Sequence, residues 1–246
     1  MSRRARTLLA VAALAGLALV LAVALHGLPG VGDPHGPNAR SVPVVLAKER
    51  HAANAVNGVT YDLRATDTLG EELILFVAAL GAAVLLRAGR GEQGGGDTED
   101  DTPPTSGALR VVGAVLVGPV LVLGGYVVTH GHLTPGGGFQ GGVILAAALL
   151  LVYAAGQLVA LERVRPIDLV EAVEATGALA FALVALGGLI FSGALLANFL
   201  ATGTLGELLS AGTIPVLSVA TGIEVTAALT LILSELLDQT LVGGRG

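Results

Sequence analysis

The chain contains no cysteine, which excludes disulfides, thiolate metal sites and cysteine nucleophiles. Tryptophan is absent too, and aromatic residues make up only 3% of the chain. An interfacial aromatic belt is therefore thin, and close Gly, Ala and Leu packing between helices must hold more of the fold. Charge is also scarce, at 13% of residues against 53% hydrophobic, and the mean hydropathy is +0.80. The formal charge of -6 points to no cationic partner, because much of it belongs to Glu92, Asp97, Glu99, Asp100 and Asp101 in one linker. Nothing here suggests a nucleic-acid partner, a cofactor or a catalytic nucleophile, so an enzyme is not expected.

What the chain has instead is long apolar runs. Leu8 to Leu28, Leu69 to Leu86, Leu109 to Thr129, Phe139 to Leu161, Ala175 to Ala197 and Thr213 to Leu237 are each long enough to cross about 30 Å of hydrocarbon as a helix. Helices are the only open-ended way to span lipid, since every backbone polar group must be satisfied within the segment. The expected fold is all-α: a polytopic membrane protein of about six transmembrane helices. The first run has a second reading. Arg3 to Arg6, an apolar stretch and Ala22-Val23-Ala24 also resemble a signal peptide with its cleavage site, although the run exceeds the usual apolar length of about 7 to 15 residues.

Lys and Arg are retained on the cytoplasmic side of a membrane. Arg3, Arg4, Arg6, Arg87, Arg90, Arg110, Arg163, Arg165 and Arg245 fall on one side of a six-span arrangement, and Arg40, Lys48, Arg50 and Arg64 on the other. Both termini are expected in the cytoplasm of a bacterial or archaeal cell, with residues 130–138 and 198–212 on the outer face of the plasma membrane. Residues 91–107, glycine-rich, acidic and containing Pro103-Pro104, have the composition of a flexible linker. They divide the chain into a two-span module, residues 1–90, and a four-span module, residues 108–246.

Between the third and fourth runs lies His130-Gly-His-Leu-Thr134-Pro135-Gly136-Gly137-Gly138-Phe139-Gln140-Gly141-Gly142. Proline and glycine cost a helix interior about 3 and 1 kcal/mol relative to Ala, so a segment this rich in them, between two spans, should be shaped by packing. Gly136, Gly138 and Gly141 formally satisfy G-x-G-x-x-G, but a dinucleotide fingerprint follows a short strand in a βαβ unit. Here a membrane-length run precedes it, and no Lys-Ser/Thr follows as in a phosphate loop. A membrane reading suits the residues better. Pro135 can sit in a first helical turn, and the pairs Gly137/Gly141 and Gly138/Gly142 have the small-xxx-small spacing of a helix contact face. Gln140 then needs a protein or water partner, or it touches a transported ion.

Thr134-Pro-Gly-Gly-Gly-Phe-Gln-Gly-Gly142 followed by Val-Ile-Leu-Ala-Ala-Ala resembles the signature of the MnhB/MrpB family, small subunits of multisubunit Mrp-type Na+/H+ antiporters. The resemblance covers the four spans from about Leu109 onward. It implies a subunit of a large hetero-oligomeric complex with MrpA-, MrpC- and MrpD-like partners, moving Na+ and H+ across the bilayer and related to the membrane arm of respiratory complex I and to membrane-bound hydrogenases. Asn54-Ala-Val-Asn57 and Tyr61-Asp62-Leu63-Arg64-Ala-Thr-Asp67-Thr68-Leu69-Gly70-Glu71 are similar to a segment in the C-terminal part of the MrpA subunit and to MbhE-type subunits of membrane hydrogenases. Together the two resemblances imply a fusion of neighbouring subunits.

Three acids are the candidates for ion or proton translocation. Asp67, with Thr68, is placed to cap the second span, and Glu71 and Glu72 fall in its first turn, where the helix dipole favours negative charge. Capping accounts for these acids equally well, and Arg64 could pair with Asp62 or Asp67 at the surface. Glu71 ends the Asp-Thr-x-Gly-Glu element of the resemblance and could face a hydrated path. Glu224 lies near the middle of the last span, where an ionised carboxylate costs about 3 kcal/mol on the gentlest scale; it needs a partner, water or a proton. Glu171 and Glu174 are expected in a solvated first turn. His130 and His132 could titrate near neutral pH, but with no third ligand nearby they make no metal site; they and Asn198 should hydrogen-bond freed carbonyls. Two functions remain open: an antiporter subunit whose acids serve ion passage, or a structural subunit with no ion path of its own.

Overall fold

The computed structural model describes residues 37–92, 106–164 and 166–243, with ten scattered helical positions between residues 11 and 26. Most of the run from Leu8 to Leu28, both termini and most of the linker at 91–107 lie outside the described residues. The chain forms two compact units, Met1–Ser41 and Val42–Gly246. The second holds five long helices: α1 (Ala65–Glu92), α2 (Gly107–Thr129), α3 (Gly138–Val164), α4 (Ile167–Ser192) and α5 (Ile214–Gly243). Each contains a stretch long and apolar enough to cross a membrane, and no strand occurs among the described residues. The protein is an all-α polytopic membrane protein.

The five helices are not equivalent. Within its apolar stretch α5 is 61% buried, whereas the other four lie between 17% and 28%. It is the axis of the bundle: α1, α3 and α4 pack on it, and α2 packs mainly on α3. Its buried face explains why, for Leu217, Ala220, Ala227, Ala228 and Leu231 alternate with Ser218, Thr221, Glu224 and Ser234. Small side chains let neighbouring backbones approach, and the polar ones can be tolerated only where protein encloses them.

The glycine pairs set these approaches. A side chain at Gly138 would strike the Ser218 carbonyl and lie 2.6 Å from Thr221 Cβ; one at Gly142 would lie 2.7 Å from Val225 Cβ. That face of α3 therefore fits α5. Gly141 faces α2 instead, meeting Val128 and the Gly124 carbonyl. Pro135 lies in the loop before α3 and not in its first turn, because α3 begins only at Gly138.

Helix α4 starts at Ile167, eight residues before the expected Ala175, and stops at Ser192. Glu171 and Glu174, expected in a solvated first turn, lie beyond that turn inside the helix, and Glu174 packs inward. Gly193, in the left-handed conformation (φ 77°), ends it, with its N–H donating to the Leu189 carbonyl at 3.1 Å. Asn198 then braces the following loop, donating to the Ala211 carbonyl (3.0 Å) and accepting from the Thr213 N–H (2.9 Å).

Candidate functional site

At one end of the bundle, the segment before α1 is stitched to the glycine-rich loop. Asn54 caps the short helix Ala55–Gly58 by accepting from the Val56 and Asn57 N–H groups. The same side chain donates to the carbonyls of Gly131 (2.7 Å) and Thr134 (2.9 Å). The His132 carbonyl accepts from the Ala53 and Asn54 N–H groups. A residue type suited to capping thus satisfies the carbonyls that a glycine- and proline-rich turn leaves unpaired. His132 itself is fully buried beside the backbone of Glu207 and Leu208, and burial holds its imidazole below the ordinary value despite those contacts.

Just inside this stitch the backbone of α3 makes room for Tyr61. A side chain at Gly138 would lie 2.7 Å from the Tyr61 hydroxyl, and Asn57 Nδ2 stands 2.7 Å from where one would project at Gly137. Gly137 also has φ 144°, in the region that favours glycine. Tyr61 is 1% exposed, and its burial, with Glu72 and Glu71 adding to the effect, pushes the phenol well above its ordinary range. It stays a neutral hydroxyl beside Thr221.

Below Thr221 the site becomes acidic. Glu72 from α1 and Glu224 from α5 face one another, with Thr221 beside Glu72. They are 2% and 0% exposed, and apart from one another and Thr221 their four carboxyl oxygens meet no partner. Glu174 from α4, 4% exposed, is the next carboxyl facing Glu224. Gly177, one turn beyond it, brings α4 onto the backbone of Glu224: a side chain there would lie 2.7 Å from the Glu224 nitrogen. At 1.5 Å per residue, Glu72 lies about 10 Å below the start of α1, Glu224 about 15 Å below the start of α5 and Glu174 about 10 Å above the opposite end of α4. Among the described residues no three His, Asp or Glu side chains gather to hold one ion. The acids form a file and not a cage.

The file opens on a cleft of about 350 Å³ between α1 and α4. Phe76, Leu80 and Ala83 line one wall and Glu171 and Glu174 the other. The arrangement can hold protons in a region where an unpartnered ionised carboxylate would cost several kcal/mol.

The sequence candidates fall on different sides of this site. Glu224 is at its centre. Glu71 is exposed, and Asp67 is exposed and paired with Arg64 at the start of α1; neither joins Glu224. Thr134 and Pro135 lie in the loop, Gln140 is exposed, and Phe139 is half-buried, while Gly138 and Gly142 form the seam against α5. Glu72, Glu174, Thr221 and Tyr61 complete the site. Glu72 and Glu174 look in sequence like acids of exposed first turns. The signal that could have separated them is helical phase: Glu72, Ala79 and Ala83 share the small-residue face of α1.

Residues 108–231 match the family described as a domain related to the MnhB subunit of Na+/H+ antiporters. An uncharacterized protein of Methanocaldococcus jannaschii is 34% identical over 207 aligned residues, covering 72% of this chain and 74% of its own. A chain in the structure of the membrane-bound sulfane sulfur reductase, an archaeal respiratory membrane complex, superposes with TM-score 0.71 and 29% identity, over 94% of this chain and 98% of that one. A longer chain in the Mrp complex from Dietzia sp. DQ12-45-1b superposes with TM-score 0.69 and 25% identity, over 96% of this chain and 26% of that one.

Proposed function

The chain belongs to the MnhB family, and from that premise we propose that it is a subunit of a multisubunit cation/proton antiporter complex through which protons pass by way of Glu72 and Glu224. The observation that carries this reading is the pair itself. Two carboxyls from different helices face each other with no cation and only Thr221 as a further hydrogen-bonding neighbour among the described residues, and an intramembrane acid enclosed in protein is functional by default. Two such acids cannot both be ionised at close range without a large penalty, so they share protons. Na+ is the expected counter-ion of the exchange, and the subunit performs no covalent chemistry. In the expected orientation the glycine-rich loop faces outward across the cell membrane.

MrpA-, MrpC- and MrpD-like proteins are the proposed partners. Glu71 and Asp67, on the exposed side of α1, are the acids at which a partner's ion path would meet this chain. A match running through the N-terminal segment to about a quarter of one longer chain supports residues 1–90 and 108–246 as neighbouring modules joined by the linker at 91–107.

A structural subunit without an ion path is favoured by one observation: α2 is largely uncovered, with Val111, Val115 and Val122 more than 60% exposed. Lipid covers such a face as well as a partner does, and packing alone does not require buried acids. Glu224→Gln and Glu72→Gln in the assembled complex test the proposal. Na+-dependent proton flux in everted vesicles should fall to background in both while the subunits still co-purify; full flux in both would leave only the structural reading.

A further inference from the structure

We propose that the cleft between α1 and α4 is the aqueous port of the buried pair, and that Glu174 carries protons between that cleft and Glu224. The inference rests on the proposed function and adds to it the route and the side from which protons are exchanged. Three observations place Glu174 in this role. It is buried, yet it lines the cleft. Its Oε1 has no hydrogen-bond partner, which is costly for a carboxyl unless water or a proton reaches it. Gly177 then removes the side chain that would hold α4 away from Glu224, so the cleft acid and the pair acid stand on touching backbones.

The cleft suits water and protons better than an organic ligand. Its volume of about 350 Å³ holds roughly ten waters at their liquid volume. Its walls are Phe76, Leu80 and Ala83 with a single acidic side, so no set of convergent donors fixes an organic molecule. At the other end of the file Tyr61, 1% exposed and set against Gly138 and Thr221, closes the way to water, and its hydroxyl stays protonated. The file thus takes water from the cleft alone, and a proton that reaches Glu224 leaves through Glu72 toward the partner that meets α1 at Glu71.

Among the described residues, the charged groups recorded against these acids are carboxylates. Glu171 faces Glu174 from its own helix, Glu72 and Glu174 face Glu224, and Glu71 lies near Glu72. A proton taken up by Glu174 and passed to Glu224 leaves Glu174 ionised and Glu224 neutral, and the next proton from the cleft restores Glu174. Repulsion along the file keeps each transfer close to balanced, because ionising one acid raises the cost of ionising its neighbour.

The test uses the whole complex in membrane vesicles. The native chain has no cysteine, so any thiol label on it reports an introduced position. Ala175→Cys, in the cleft, should react with a membrane-impermeant maleimide applied from the side opposite the glycine-rich loop and not from the other side. Val77→Cys, 64% exposed on α1 and outside the cleft, should react from neither. Glu174→Gln should reduce flux to background and Glu174→Asp should retain part of it. Inactive Glu224→Gln with full flux in Glu174→Gln, or no labelling of Ala175→Cys, overturns the port and leaves the proposed function standing. Full flux in Glu224→Gln overturns both. If Glu174→Gln fails to assemble, the labelling result decides.

Discussion

Glu72 and Glu224 face one another from α1 and α5, both shut away from solvent and with no partner for their carboxyl oxygens except each other and Thr221. The contact joins the segment before the linker to the last helix of the chain, so the pair exists only when those parts are packed together. Anything that loosens the seams around α5 should disturb it.

Thr221 supplies the first prediction. Its hydroxyl stands beside both Glu72 and Tyr61, at the upper end of the acid file. Thr221→Val keeps the shape and removes the hydroxyl, and flux should drop by about tenfold or more if the group positions a proton. Thr221→Ser should recover most of it. Equal flux in all three proteins, with equal assembly, would remove Thr221 from the path.

Gly138→Ala should destabilise the protein by about 1–3 kcal/mol, the usual cost of overpacking. The added carbon meets the Ser218 carbonyl, which belongs to backbone and cannot rotate away. Gly125→Ala on α2 has nothing within 4 Å and should be neutral or slightly stabilising, since alanine favours the helix by about 1 kcal/mol. Thermal unfolding in detergent, followed by intrinsic tyrosine signal or aggregation, separates the two.

Asn54→Ser keeps a capping oxygen but loses the amide that binds Gly131 and Thr134. Leaving those carbonyls unpaired costs about 1–3 kcal/mol, and Asn54→Ala adds the lost cap at about 1 kcal/mol. Protease resistance of the loop at 130–137 should decline in the order wild type, Ser, Ala. A reversed order of the two variants would contradict the assignment of both roles to one side chain.

His132 predicts a pH effect on stability. Its pKa is lowered in the folded protein by burial, whereas the unfolded value is about 6.5. Below that value the unfolded chain binds more protons than the folded one, and stability rises with pH wherever this holds. The contribution is therefore complete above about pH 6.5 and is lost as pH falls through the unfolded value toward the lower folded one. His132→Gln should flatten the fall in unfolding temperature between about pH 7 and 5; an unchanged slope would assign that fall to other groups.

The five spans from Leu69 onward, the glycine-rich turn and the depth of Glu224 were legible in the sequence because each follows from local quantities. A run of about 20 apolar residues is set by bilayer thickness, and a cluster of proline and glycine between two such runs is set by what helices exclude. The start of α4 was not legible in the same way. Glu171 and Glu174 resemble a polar helix end, and only the neighbouring Gly177 and the face of α5 make it possible to bury one of them.

The choice between Glu71 and Glu72 shows where sequence stops. Both acids follow the Asp-Thr-x-Gly pattern, and composition and hydropathy treat them alike. Successive residues on a helix are turned by about 100°, so one side of α1 meets α5 and the adjacent one does not. The sequence alone determined an all-α membrane protein with an acid deep in its last span, because hydrophobic length and the cost of charge in lipid act on each segment by itself. Only the tertiary structure decided which acid that residue faces, and that its neighbour Glu174 opens on a cleft, because helix rotation is set by packing with other helices.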